Sequence, residues 1–328
     1  MPLGTASRQE NTSGLTVGAA IAMRTTLFHQ GMHCEASDIL PAIDACPICM
    51  STEPRESVFQ IQRSPDIVML KCGKCRGCSA SHMPTDDLLA RYYSRYYADS
   101  ELKTTTSNAG YFARHVTAPM TGLAGSRPLR ILDYGGGDGS LSCAIASRLL
   151  GKSRDGHIDI DLVDFESPCA SRDGRITIRG CKDIDEVESD YDLIIASAIL
   201  EHVPRLHGVI RRLAGSARPG AYFYARTPFM IPMTRLIRKL DLTYPAHVHD
   251  MGSSFWNRFV RTFELKAETI VSRPSLIETT FLEAPLRTLA AFAMKLPSHL
   301  ELAVRRPPPI DPFWSLVGGW EVVLRFHE

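Results

Sequence analysis

Three groups of residues in this chain have the types and spacing to do chemistry. Cys46-Pro-Ile-Cys49 and Cys72-Gly-Lys-Cys75 are two C-x-x-C pairs separated by a strand-forming segment, residues 57–70. Each pair can present two thiolates from one turn, and two such turns complete a tetrahedral sulfur set for zinc. Cys75-Arg-Gly-Cys78 is a rival pairing in which Cys78 replaces Cys72. Four thiolates leave no open coordination position, so such a zinc would be structural. The second group is Asp133-Tyr134-Gly135-Gly136-Gly137-Asp138-Gly139, an acid followed by alternating glycines. The third is imidazole: His202, His247 and His249, side chains that titrate near neutral pH and can take an acceptor's proton. One of His247 or His249 is read as touching substrate. His247-Val-His249-Asp250 is also a metal pattern of low specificity.

The glycine run separates two ligand classes. In the dinucleotide fingerprint the third glycine falls three residues after the second. Ser140 stands there in this chain, whereas Gly135, Gly137 and Gly139 alternate. Asp133 closes the preceding strand, where a carboxylate opposes a pyrophosphate and suits a cation such as the methionine end of S-adenosylmethionine. The next strand, residues 157–164, ends in Asp164-Phe165. A carboxylate at Asp164 can accept both ribose hydroxyl protons; Asp161 and Glu166 are close competitors for that role.

The D-x-G-x-G-x-G run resembles motif I of the class I S-adenosylmethionine-dependent methyltransferases. That resemblance implies a cofactor site in which Asp133, Tyr134, Gly135, Gly137 and Gly139 hold the methionine part. It places the ribose on Asp164, the adenine against Phe165, and the sulfonium beside Ser197 and His202. Residues 191–203, with Leu200-Glu201-His202-Val203, resemble the family's fourth strand and following turn, and residues 220–228 its fifth strand. The likeness covers about residues 111–228. Residues 70–97 resemble the zinc-binding region that precedes some bacterial methyltransferases, including sugar C-methyltransferases. There a C-x-x-C is followed by a proline and a tyrosine-rich helix, and Pro84, nine residues after Cys75, favours Cys72 and Cys75 as the second pair. The sugar enzymes carry a further C-terminal domain that this chain ends too early to hold, which counts against a sugar acceptor.

The elements that must position these groups follow from periodicity. Strands are expected at 129–133, 157–164, 175–179, 191–196, 221–226, 264–271 and 320–326, and helices at 84–98, 140–150, 207–217 and 286–306. Pro219-Gly220 is expected to stop the 207–217 helix. The fold class is therefore α/β, a Rossmann-like seven-stranded methyltransferase sheet with a small N-terminal zinc-binding domain. The expected division is a disordered tail (1–37), a zinc module with linking helix (38–105) and a methyltransferase domain (106–328). Substrate-lid insertions are expected at about 229–256 and 281–316. In the 84–98 helix, Tyr92, Tyr93, Tyr96 and Tyr97 form i,i+4 pairs, one for packing and one to cap cofactor or acceptor. Tyr111 and Phe112 could close over the cofactor.

Lys+Arg of 37 against Asp+Glu of 36 leaves a net charge of +1, which disfavours a nucleic-acid substrate. Five of nine cysteines fall between Cys46 and Cys78, without an export signal, so a cytoplasmic setting is expected. No membrane span is expected. The 286–306 helix, apolar on one side, is read as packing on the domain or as a homodimer contact, with a membrane-surface helix as the lesser alternative. The sequence reads as methyl transfer to oxygen or carbon of a small-molecule acceptor in a biosynthetic pathway. Its rivals are an RNA methyltransferase that uses the zinc module as a platform, and a non-catalytic scaffold.

Overall fold

The computed structural model describes residues 23–24, 30–98, 108–123, 128–151, 156–164, 171–237, 239–277, 284–305 and 310–327. The first sheet is small and antiparallel. It contains β1 (Arg55–Gln62), β2 (Ile67–Cys72) and β3 (Cys78–Ala80), and its fourth strand comes from far along the chain, β10 (His249–Asp250), in the order β10-β3-β2-β1. Helix α1 (Asp86–Ala98) follows, and Thr85 caps it as expected, its hydroxyl accepting from the Leu88 N–H at 3.2 Å.

Beyond α2 (Ala109–Thr117) the strand and helix signals alternate. The elements are β4 (Leu129–Tyr134), α3 (Ser140–Leu150), β5 (Ile158–Val163), β6 (Ser171–Asp173), β7 (Ile176–Cys181), β8 (Tyr191–Ser197), α4 (Leu206–Gly215) and β9 (Ala217–Phe229). After β10 come α5 (Ser253–Thr262), β11 (Ala267–Pro274), α6 (Pro285–Val304) and β12 (Gly318–Phe326). The large sheet runs β11-β12-β9-β8-β4-β5-β7-β6. Strands β7, β5, β4, β8 and β9 are parallel, β12 inserts antiparallel beside β9, and β11 pairs antiparallel with β12. The seven expected strands are all present, and β6 adds a short antiparallel arm at one edge. Strand β8 is buried at six of its seven positions, as a parallel strand covered on both faces must be.

Two expectations are corrected. Residues 30–37 are not a loose tail: Cys34 is fully buried, and its backbone N–H and carbonyl are both bonded by the Gln62 side chain. Pro219-Gly220 does not stop α4, which ends at Gly215; the pair lies inside β9, where the register with β8 breaks between Ala217 and Tyr222. Pro219 cannot donate to a ladder and Gly220 takes φ 79°, so the break falls where the sequence cannot hold regular pairing.

The core is continuous between the two sheets. Cys46, Ile48, Cys72 and Cys75 share one apolar cluster with Phe255, Trp256 and Phe259 of α5 and with Trp320 of β12. A Cβ on Gly77 would meet Ile48 at 2.7 Å and Phe255 at 3.1 Å, so the cysteine turn closes directly on α5. The opposite face of the large sheet is covered by α2 and α3 through Phe112, Val116, Leu141 and Ile145.

Candidate active site

The glycine loop takes its shape from backbone geometry. Gly135, Gly137 and Gly139 have φ of 70°, 56° and 74°, a region open to glycine and costly for other residues, which accounts for the alternation. Gly136 is there for space: a Cβ would meet the Asp133 carboxylate at 2.4 Å and Leu162 at 2.3 Å. The loop turns back on the strand ends, with Gly135 N–H donating to the Val163 carbonyl at 2.7 Å, and delivers the chain into α3.

Asp133 is 1% exposed at the end of β4, and its Oδ2 has no hydrogen-bond partner. Burial pushes its pKa up to about 7, against the Ser142 hydroxyl that favours the ionised form. An uncompensated buried carboxylate is costly, so this atom is poised for a cationic or hydrogen-donating ligand. Asp164, at the end of β5, accepts from the Gly137 N–H at 2.8 Å and so joins the same cradle. Its competitor Asp161 is committed elsewhere: Arg179 holds both its oxygens at 2.7 and 2.8 Å, and the Tyr191 hydroxyl donates to it. Glu166 and Phe165 lie outside the described residues. Tyr134 is half-buried beside the loop, and burial pushes its hydroxyl up to about 12.

Ser197 ends β8, and Ala198 then takes φ 58° while its N–H donates to the Arg226 carbonyl at 2.8 Å. That turn delivers Leu200–His202. The His202 Nδ1 lies 2.9 Å from the Ala246 carbonyl and 3.1 Å from the Tyr93 hydroxyl, and its ring meets His247 edge-on with centroids 4.6 Å apart. Glu201, His202 and His247 each bring one donor atom within 4.8 Å of the others. Glu201 is buried, and desolvation raises its pKa to about 8. His249 is separate from this group. It is 1% exposed, pairs across the small sheet with Ser79, and donates from Nε2 to the Val203 carbonyl at 2.9 Å, while burial pushes its pKa down to about 4. The His-x-His pair does not converge because only His249 belongs to β10, whereas His247 ends the preceding turn, its N–H donating to the Thr243 carbonyl at 3.1 Å.

Spacing alone does not say which tyrosine of α1 reaches the site. Tyr93 reaches His202, Tyr96 faces the charge of Asp164, and Tyr92 donates to the Gln30 carbonyl at 3.1 Å, so α1 lies across the loops at the strand ends. Arg226 on β9 sits over the Phe112 ring at 4.9 Å, and neither partner carries a local motif.

The four sulfurs of Cys46, Cys49, Cys72 and Cys75 lie within 4.8 Å of one another, and Cys78 is not among them. Cys46–Cys75 and Cys49–Cys72 are each 3.8 Å apart. Sulfurs at tetrahedral corners about 2.3 Å from one zinc are separated by about 3.8 Å, so the donor set fits that ion. Cys78 instead sits buried in β3 opposite Asp250, with burial raising its thiol pKa.

Residues 106–266 match the family model described as a methyltransferase domain. The match takes in just under half of the chain, and the sheet order and the glycine loop agree with a methyltransferase domain over these residues. The ubiquinone biosynthesis O-methyltransferase of Bordetella avium is 28% identical over 155 residues, 44% of this chain and 62% of that protein. Its counterpart from Pseudomonas aeruginosa is 30% identical over 154 residues, 44% of this chain and 63% of that protein. The chain thus spans less than two thirds of the length of these relatives. Among solved structures, the plantazolicin methyltransferase BpumL in complex with a monoazolic desmethylPZN analogue and SAH covers 74% of this chain and 91% of its own at 15% identity and TM-score 0.43. The described residues include no helix long and apolar enough to cross a membrane.

Proposed function

We propose that the protein transfers the methyl group of S-adenosylmethionine to a small-molecule acceptor, at oxygen or carbon, in a biosynthetic pathway. The observation that carries this reading is the buried, unpartnered Oδ2 of Asp133 at the mouth of the glycine loop. Asp133, Tyr134, Gly135, Gly137 and Gly139 would hold the methionine end, Asp164 the ribose diol, and Ser197 with His202 the sulfonium side. The cofactor, when bound, supplies an electrophilic methyl on a cationic sulfur. The relatives' names favour oxygen as the atom methylated.

The acceptor's proton is assigned to His202 or His247. A carbonyl can only accept, so Nδ1 of His202, set on the Ala246 carbonyl, carries the ring proton and Nε2 keeps its lone pair. Tyr93 and Ala246 fix the ring plane, and His247 borders the same space. We assign His249 to structure, because full burial keeps it neutral and its Nε2–H is spent on Val203. Zinc on the four cysteines would be structural and would hold the β1–β3 sheet against α5. Cysteines gathered as a metal-holding set rather than as disulfides support a cytoplasmic setting.

Calorimetry with S-adenosylmethionine and S-adenosylhomocysteine on wild type and Asp133→Asn, with metal analysis of the same sample, tests both halves. Wild type should bind both ligands, and Asp133→Asn should weaken binding about ten- to a hundredfold. Failure of wild type to bind either ligand would sink the cofactor assignment, and metal-free fresh protein would sink the zinc.

A further inference from the structure

Helix α6 is built inside out. An ordinary surface helix turns its apolar stripe to the core. In α6 the buried residues are Thr288, Lys295 and Ser298; Met294 and Leu302 pack partly against the core, and the larger apolar stripe faces out. Leu286, Leu289, Phe292, Leu296, Leu300 and Val304 recur every three or four residues and are 37–85% exposed. Beside the C-terminal end, Phe313 is 90% exposed, and the Trp314 indole donates to the Met294 carbonyl at 2.7 Å.

Rotating the helix cannot relieve this. Lys295 Nζ donates to the Ser275 carbonyl, to the Ser275 hydroxyl at 3.1 Å and to the Leu276 carbonyl at 3.4 Å. Turning the stripe inward would tear a buried ammonium from its acceptors. Nor is α6 placed to cover the cofactor loop. It packs on the edge strand β11, with β12, β9 and β8 between that strand and β4.

We propose that this face of α6 docks on the surface of an anionic lipid bilayer, lying in the plane of the interface. A stripe of leucines with phenylalanine and tryptophan at its end, edged by arginine, has the composition of an interfacial helix. Arg287 stands near the N-terminal end, and at the other end Arg305 neutralises the helix's only carboxylate, Glu301, which also accepts from the Phe313 and Trp314 N–H groups, so the helix face keeps a net positive charge. A two-fold contact with a second copy would set two faces of the same net charge together, whereas an anionic surface attracts each.

The test is flotation of the full-length, metal-loaded protein with phosphatidylcholine vesicles, with and without phosphatidylglycerol, alongside light scattering. Wild type should float with the anionic vesicles and less with phosphatidylcholine alone. Leu289→Glu with Phe292→Glu should cut partitioning at least about tenfold, and Arg287→Glu should cut the anionic component. Both substitutions fall on exposed positions, so melting temperature and cofactor binding should be unchanged. Failure of wild type to float, or flotation untouched by the double substitution, overturns the proposal. So does a stable dimer that the double substitution dissociates while vesicles capture neither form.

Discussion

Two buried carboxylates, Asp133 and Glu321, sit in the same sheet and have been given opposite environments. Glu321, on β12, is 1% exposed; Arg273 donates to its Oε1 at 2.6 Å, His115 reaches the same oxygen, and Tyr224 donates to Oε2 at 3.3 Å. Burial would raise its pKa, but the His115 bond and the Arg273 charge hold it below the ordinary range. Asp133 is as deeply buried yet keeps an unpartnered oxygen, and burial carries its pKa up to about 7. The difference teaches how to separate architecture from function in one core. A buried acid whose oxygens are all bonded by the protein is a clamp, and one left with an open oxygen is a candidate to hold a ligand.

Breaking the closed sets should cost most. Cys75→Ser, or chelation of the wild type, removes one corner of a sulfur set that packs directly on α5. Structural zinc contributes on the order of 10 kcal/mol to small metal-dependent folds. The expected result is loss of cooperative melting of the protein, followed by circular dichroism; an unchanged melt would show that the cluster is dispensable. Glu321→Gln should come next, at about 3–5 kcal/mol by urea denaturation, because Arg273 is left facing a neutral group. Cofactor affinity should hardly move, and a large loss of affinity at full stability would blur the contrast drawn above.

The smallest and most specific effect concerns pH. A carboxylate raised from 3.8 to about 7 disfavours the empty native state above its folded value, so its contribution to stability improves as pH falls from 7 towards 4. Glu321 runs the other way: its contribution is present above pH 4.5 and is lost as pH falls through its depressed folded value. Asp133→Asn should therefore flatten part of the gain in urea stability between pH 7.5 and 5, by an amount on the order of 3 kcal/mol at most. Binding of a cationic ligand near pH 7 should release protons in wild type and not in the variant. This is measurable as a dependence of calorimetric heat on the buffer's ionisation enthalpy, and equal proton release by both proteins would contradict it.

The large sheet was legible because parallel strands, covered on both faces, write near-continuous apolar runs, and all seven expected strands lie within a few residues of their expected ends. The cysteine set was legible because both turns are local motifs. What sequence could not reveal was convergence over distance. His115 and Glu321 are 206 positions apart, and Tyr93 and His202 are 109. Nothing in the spacing of either member names the other. The outward stripe of α6 was visible as periodicity, but periodicity does not say which face the fold buries; Lys295 decides that through Ser275, an acceptor just beyond the end of β11.

The strand His249–Asp250 has a consequence for how the molecule comes into being. It is the outer neighbour of β3, yet it is synthesised only after most of the large sheet has left the ribosome. The amino-terminal turns can gather their four thiols early, but the sheet they anchor must wait, with an open edge, for a partner from a distant loop. Completion of the first-made sheet is thereby tied to a segment made after most of the large one, and a chain stalled before it carries an unpaired strand edge.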